Sequence, residues 1–499
     1  MLNPCLPENE YIPDVEPYIF GNRVYLYGSH DRFGAPMFCM NDYVCWSAPL
    51  DDLGNWKYEG VIYRKNQDPK NRLGLRLLFA PDVVRGTDGR YYLYYAFDFM
   101  GIMGVAVCES PCSVFRFLGH IRHADGTLYG RKKGDGFPFD PAVLVDDDKR
   151  IYLYSGFGTA VPAIVTGGKK LEFQGGYAME LEEDMLTIKG EPKLLFPNHG
   201  EDSFQEHEFF EASSIRKYDG TYYFVYSSRH NHELCLAVSD RPMEGFRFAG
   251  TLISNGDLFL NGNTDEEHAA NYIGNNHGGL LKLKNEYYIF YHRQTNRSSY
   301  SRQVCAERIP VDENGTFLQA EMTSCGLNGG PLEGSGVYGA RIACNLWSRE
   351  GTGRYDCQRP KQRYKSHPYF TQEAKGDGGS RQYIANMQDG SVAGFKYFRI
   401  DRDVKISVKV RGTANGMMRV YQDADRKQAA DCIPLNCTSD YRWYSGRKNI
   451  EQGIHPVDVY KRQERMDAGS DRSVRVGYPY AEKDGAVCGD PVCEKKDRL

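Results

Sequence analysis

The chain has 499 residues, 41% hydrophobic and 26% charged, with a formal net charge of −4. That length exceeds one ordinary core and suits two or three domains of a folded protein. The charge balance offers no basic face to nucleic acid or to an anionic bilayer, and no apolar run reaches the ~18 residues of a membrane helix, so neither is an expected partner.

Residues 1–10 lack a basic stretch followed by an apolar core, so no secretory leader is read there. The 14 cysteines are scattered without CxxC pairs. They read as reduced, mostly buried thiols, and no zinc site is expected because ligand spacing is missing. Both features point to the cytoplasm; an upstream segment outside this sequence would instead place the protein outside the cell or in the periplasm.

From the start of the chain to about residue 312, one phrase recurs five times: a short opening motif, a turn and a Tyr-rich strand. Asp14 opens the copy running through Val24-Tyr25-Leu26-Tyr27. Ala80-Pro81-Asp82 opens the one ending Tyr91-Tyr92-Leu93-Tyr94-Tyr95. Asp140-Pro141-Ala142 opens the third, ending Ile151-Tyr152-Leu153-Tyr154. Glu211-Ala212-Ser213 opens the fourth, ending Tyr222-Tyr223-Phe224-Val225-Tyr226. His277-Gly278-Gly279 opens the fifth, ending Tyr287-Tyr288-Ile289-Phe290-Tyr291. With Pro17, Pro81, Pro141, Ala212 and Gly278 taken as equivalent, the steps are 64, 60, 71 and 66 residues. Repeats of that length, with alternating apolar runs and turns such as Thr87-Asp88-Gly89 and Tyr218-Asp219-Gly220, predict a five-bladed β-propeller.

Radial repetition brings equivalent positions to one axis, so Asp14, Asp140 and Glu211 are expected together. Cleaving a glycosidic bond needs a proton for the leaving oxygen and an activated water or nucleophile at the anomeric carbon. Glu211 follows Phe209-Phe210, whose apolar rings would raise its pKa as a general acid requires. Asp140 is the candidate for orienting Glu211 and tuning its pKa, and Asp14 is the candidate base. Glu16 rivals Asp14, because Glu16-Pro17 matches Asp140-Pro141 in phase. His277 is placed near the axis, to hold a water or a metal ion. Arg293 and Asp31 are candidate substrate contacts, with His30 and Asp98 as further inward residues. No GxxxxGK[ST] is present, and no GxGxxG sits between a strand and a helix, so nucleotide binding is not expected.

Residues 313–370 turn Gly-rich and read as a connector packed on the propeller. From about 371 a second β pattern begins: a turn at Asn386–Ser391, then strands at Ala393–Phe398, Val404–Val410 and Met417–Tyr421. It predicts a jelly-roll-like β-sandwich over 371–457, so the whole chain is expected to be all-β. Asp458-Val459-Tyr460-Lys461-Arg462-Gln463 reads like the in-frame translation of a sequencing-library transposon end. Residues 458–499 are therefore expected to be a foreign or disordered tail that truncates the sandwich.

Ile12-Pro13-Asp14, Phe139-Asp140-Pro141, Phe210-Glu211-Ala212-Ser213 and Asn276-His277-Gly278 together resemble the signature of glycoside hydrolase family 43, over about residues 4 to 310. The resemblance implies a five-bladed propeller and inversion at the anomeric carbon. It makes Asp14 the base, Asp140 the pKa modulator and Glu211 the acid, and His277 the central histidine that orients a water or a structural calcium. No other cofactor is implied. Asp14-Val15-Glu16-Pro17 departs from the commoner Asp-Pro. Tyr383-Ile384-Ala385-Asn386 and Gly394-Phe395-Lys396-Tyr397-Phe398 resemble family 6 carbohydrate-binding modules. The expected activity is exo-removal of α-L-arabinofuranosyl or β-D-xylosyl residues from plant cell-wall glycans, with an endo-arabinanase or a non-catalytic glycan-binding propeller as alternatives.

Overall fold

The computed structural model describes residues 2–98, 100–159, 173–355, 365–373, 382–423, 426–462 and 474–483. It is all-β, with only short 3-10 turns besides strands among the described residues. Antiparallel sheets follow one another along the chain. Sheet I joins Glu16–Phe20, Arg23–Tyr27, Tyr43–Pro49 and Lys57–Tyr63. Sheet II joins Leu78–Arg85, Tyr91–Phe97, Met103–Cys108 and Arg116–His120. Sheet III joins Ala142–Val145, Ile151–Phe157, Gly175–Leu181 and Thr187–Pro197, with Arg122–His123 parallel on its edge. Sheet IV joins Phe209–Tyr218, Thr221–Ser228, Leu234–Ser239 and Arg247–Ile253. Sheet V joins Leu280–Leu283, Glu286–Thr295 and Ser298–Ile309.

The tyrosine-rich strands are second in each sheet, and their rings, with aromatic rings of the fourth strands, fill the layers between sheets. Tyr27, Tyr63 and Tyr95 lie between sheets I and II; Tyr154, Phe196 and Phe224 lie between sheets III and IV. Branched and aromatic side chains suit such pleated, doubly covered strands. The ring of sheets closes on itself: Val15 bridges Gly278, and Gly279 N–H donates to Val15 C=O. Gly278 is required at that seam, since a Cβ there would lie 1.8 Å from Phe290 C=O. The outer edge of sheet V is covered by the N-terminal segment, where Cys5 N–H donates to Val304 C=O.

One buried polar belt ties the inner strands together. Arg216 Nη2 donates to Glu16 Oε2 at 2.6 Å, and Ser214 Oγ donates to the same oxygen. Arg216 Nη1 donates to the Tyr18 hydroxyl, which donates to Asp82 Oδ1. Asp82 Oδ2 accepts the Val143 N–H. Sheets I to IV thus share a single chain of hydrogen bonds, and His277, which precedes sheet V, lies 3.7 Å from Glu16 Oε1 as an ion-pair contact.

Residues beyond 313 form two further sheets around one core that includes Leu346, Phe370, Ile384, Phe395, Val408, Met418, Ile433 and Val459. Sheet VI has Leu332–Glu333, Val392–Ile400, Gly453–Arg462, Asn415–Tyr421 and Asp431–Asn436 in order; sheet VII has Tyr369–Gln372, Gln382–Met387, Val474–Lys483, Val404–Gly412 and Arg442–Ser445. The expected boundary at 457 is corrected here. Gly453–Arg462 runs unbroken through it, pairing Val392 with Tyr460 and Arg419 with Tyr460 on its two edges. Val474–Lys483 lies between two other strands of sheet VII. Its text alternates, with Val474, Val476, Tyr478 and Tyr480 two apart, a strand period that the tail reading overlooked. Residues 463–473 and 484–499 lie outside the described residues.

Arg216→Met leaves Glu16 buried without its cation. It is expected to lower unfolding free energy by about 3–5 kcal/mol, read by denaturant titration; a loss under about 1 kcal/mol would show that the belt does not hold the sheets.

Candidate active site

Asp14 and Asp140 are buried non-glycine residues with φ of 56° and 45°, and Ala80 (34°) and Ala212 (69°) repeat the left-handed turn in sheets II and IV. Asp tolerates that backbone better than most residues, and such turns cluster at functional sites. Strand register gives the same phase: Glu16, Asp82 and Ala142 pair with Tyr27, Tyr94 and Tyr154. Glu16 is therefore equivalent to Asp82 and Ala142, one layer below Asp14 and Asp140. The alignment through Pro17 was out of phase, and Glu16 belongs to the belt with Arg216.

Asp14 meets two residues that sequence reading missed. Arg302 Nη1 donates to Asp14 Oδ1 at 2.9 Å. His292 Nδ1 accepts the Asp14 N–H at 3.3 Å, while Nε2 faces Asn275 C=O at 2.7 Å, so the ring is Nε2-protonated. Burial holds His292 neutral, with its pKa lowered to about 3. For Asp14 burial favours the acid, but the Arg302 guanidinium, helped by His277, outweighs it and holds the carboxyl below the usual range.

Asp31 does not face a substrate. Its side chain is fully enclosed, and its two oxygens accept Arg302 Nε (2.9 Å) and Nη2 (3.1 Å) as a fork, besides the Arg302 and Cys39 N–H groups. It fixes Arg302. Arg293 is also elsewhere: strand alternation turns His292 to Asp14 and Arg293 to the opposite face. There Arg293 lies over the Phe370 ring at 3.9 Å and donates to Ala343 C=O, joining sheet V to the C-terminal sheets. Asp98 is held by Arg76 and the Leu77 N–H, and His30 faces Asp42 C=O.

Asp140 Oδ2 accepts the Ala212 N–H at 2.9 Å, which anchors it beside Glu211. Glu211 is half-buried at a bulge of its strand, with its backbone facing Ser227. Glu206 and Glu208 precede the strand, and Glu208 pairs with His230 instead. Burial raises Glu211 well above the carboxylate range; the Asp140 and Asp14 charges add to this, against His277 and Arg302. Asp140 is raised too, by burial first, then opposed by His277. Its hydrogen bond from Ala212 and the nearby imidazole favour its anion, so the proton of the pair resides on Glu211.

His277 is the axial group. Its Nδ1 lies 3.6 Å from Asp140 Oδ2 and its Nε2 3.7 Å from Glu16 Oε1. Burial disfavours its charge, but Glu16, Asp140 and Asp14 raise its pKa to about 9. Calcium takes roughly six to eight oxygens. Around His277 the carboxylates are Asp140, engaged by Ala212, and Glu16, engaged by Arg216 and Ser214. His277 Nε2 and Glu16 Oε1, 3.7 Å apart, are buried without a hydrogen-bond partner among the described residues, so this donor set suits a water held at His277 rather than a directly bound calcium. One side of the site is an aromatic wall, with Phe79, Phe137, Phe139 and Phe157 packed against the part-exposed Phe38 and Phe210.

A family model described as "Glycosyl hydrolases family 43" matches residues 2–317. A "Xylosidase/arabinosidase" of Thermoclostridium stercorarium is 46% identical over 458 residues, covering 91% of this chain and 94% of that protein. Another of the same name, from Bacteroides ovatus, is 28% identical, covering 63% of this chain and 97% of its own length. A GH43_1 enzyme from Xanthomonas citri, solved with xylotriose, superimposes at a TM-score of 0.50 with 22% identity over 64% of this chain and 93% of its own, a likeness of fold. With the family model spanning sheets I to V and the relative spanning nine-tenths of the sequence, this chain belongs to glycosyl hydrolases family 43 and is a glycoside hydrolase.

Proposed function

We propose that the protein is an inverting, exo-acting hydrolase that removes α-L-arabinofuranosyl or β-D-xylosyl residues from plant cell-wall polysaccharides or oligosaccharides. The observation that carries the reading is the grouping of three carboxyls at the inner ends of sheets I, III and IV, with Asp14 on the Arg302 guanidinium and Asp140 anchored by the Ala212 N–H beside Glu211 and 3.6 Å from His277. In this reading sheets I to V are the five blades of a propeller, residues 313–370 are its connector, and sheets VI and VII are a carbohydrate-binding-module-like β-sandwich. The pentose assignment rests on the xylosidase/arabinosidase relative, which aligns with most of the chain.

The steps follow from the residues. The sugar's C–H face lies on the aromatic wall near Phe38 and Phe210. Glu211 gives its proton to the glycosidic oxygen as the bond to the anomeric carbon breaks. Asp14, kept ionised by Arg302, takes a proton from a water attacking the opposite face of the ring. Asp140 holds Glu211 protonated between turnovers, and His277 balances the net negative charge so that all three carboxyls can share one buried site.

Nitrophenyl α-L-arabinofuranoside and β-D-xyloside test the activity directly. At least one is expected to be cleaved, and proton NMR of the first product should show the anomer opposite to the substrate's; retention would remove the inverting assignment. Glu211→Gln should cut kcat/KM on a nitrophenyl pentoside roughly 10²–10⁴-fold, and less on a dinitrophenyl pentoside, whose leaving group needs no proton. Asp14→Asn should lose a similar factor on both substrates. Equal losses on both for Glu211→Gln would take the acid role from it.

The activity should fall as pH rises through the raised pKa of Glu211, and persist at acid pH to below the usual carboxylate range because Asp14 is lowered. Asp140→Asn removes the like charge that keeps Glu211 protonated, so the basic limb of the kcat/KM profile should move to lower pH. An unmoved basic limb would show that Asp140 does not tune the acid.

A further inference from the structure

Away from the carboxylate site, at the sheet IV end where the loop before Phe209 meets the start of Leu234–Ser239, three metal-ligating side chains converge. Glu233 and Cys235 are two residues apart, so strand alternation puts them on one face. His207 is brought against them from the loop. His207 Nδ1 lies 3.1 Å from Glu233 Oε1 and 3.8 Å from Cys235 Sγ, and Cys235 Sγ lies 3.8 Å from Glu233 Oε1. A tetrahedral zinc with ordinary bond lengths sets its nitrogen, oxygen and sulfur ligands about 3.3–3.6 Å from one another. The three observed separations are close to those edges, so one ion fits the triangle with small side-chain shifts.

The cluster is also a built one. The His207 ring stacks on Phe248 at 4.5 Å, and the Tyr226 hydroxyl donates to His207 C=O at 2.7 Å. Glu233 and Cys235 are fully buried, while His207 reaches the surface with 23% of its side chain exposed. A cavity of about 700 Å³ lined by His207, Phe248, Thr251 and Phe259 opens beside it and gives an approach path. Glu233 Oε2 is buried with no hydrogen-bond partner among the described residues. Burying a carboxylate oxygen without a donor is costly, and the His207–Glu233 contact satisfies only the other oxygen. A cation between the three groups removes that deficit.

We propose that His207, Glu233 and Cys235 bind a zinc-class divalent cation, with water from the adjoining cavity as the fourth ligand. The mixed imidazole, carboxylate and thiolate set suits zinc or cobalt rather than calcium or magnesium, which prefer oxygen alone. On binding, the Cys235 S–H loses its proton to solvent as the sulfur–metal bond forms, and the neutral His207 ring shifts its proton from Nδ1 to the solvent-facing Nε2 so that Nδ1 can ligate; binding therefore tightens as pH rises. The ion clamps the loop before Phe209 to sheet IV, and so holds the strand that carries Glu211.

Chelator-treated full-length protein titrated with cobalt(II) tests this without reference to hydrolysis. The expected result is one equivalent bound, with the intense near-ultraviolet thiolate-to-cobalt charge-transfer band, displaced by zinc. Cys235→Ser should abolish the band, and His207→Ala should weaken binding at least about tenfold, with unchanged circular dichroism spectra. Absence of a stoichiometric band in the wild type overturns the proposal. So does cobalt binding whose band or affinity is the same in both variants. The wild-type titration decides the matter even where a variant fails to fold.

Discussion

The buried Arg216–Glu16 pair is the constraint on which the rest of the molecule depends. The inner strands of sheets I to IV lie against one another through buried polar side chains, and this pair joins the first of them to the last. Arg216 reaches from sheet IV to sheet I and has its guanidinium over the Tyr18 ring at 4.0 Å. Tyr18 passes the chain to Asp82 in sheet II, and Asp82 to Val143 in sheet III. Each member passes a hydrogen bond to the next, and Glu16 Oε1 alone of its two oxygens is left without a donor among the described residues. Burial raises Asp82 to about 7, and the neighbouring Glu16 charge adds to it, against the donors that its two oxygens accept.

The layer above this belt is built from the same parts with a different outcome. Asp14 and Asp140 are buried beside the half-buried Glu211, yet their surroundings separate the three. Arg302 decides for Asp14, the Ala212 N–H and His277 decide for Asp140, and the phenylalanines around Glu211 leave it the proton. His277 links both layers, since one nitrogen faces Asp140 and the other faces Glu16. His277 thus ties the carboxylate layer to the layer that holds the sheets together.

The C-terminal sheets are joined to the hydrolase region by buried contacts rather than by a loose tether. Arg293 lies on Phe370. Lys396 in sheet VI is buried between Asp257 and Glu321, and Tyr11 donates to Gln372. Strand alternation explains why Arg293 serves this joint. His292 and Arg293 are neighbours in sequence and face opposite regions of the molecule.

The sequence alone determined the all-β class and marked a recurring phrase whose copies open on Asp14, Asp140, Glu211 and His277. Those features are local: a Tyr-rich alternating strand, a turn, and a polar residue at a fixed offset each leave a mark in the text. Tertiary structure decided the rest. Glu16 and Asp14 could be told apart only by strand register, because a two-residue offset preserves the face but changes the layer. Arg302 and Asp31 are 271 residues apart, and nothing near either residue announces the fork that keeps Asp14 ionised. His207 meets Glu233 and Cys235 only because a loop returns over the end of sheet IV; their spacing in sequence resembles no metal motif. The strand Val474–Lys483 finds its neighbours in segments some 70 and 90 residues earlier, so its alternation acquires meaning only when the sheet is assembled. Sequence fixes what each residue can do chemically; closure of the sheets fixes which charges face each other, and in a buried site the neighbours set the protonation.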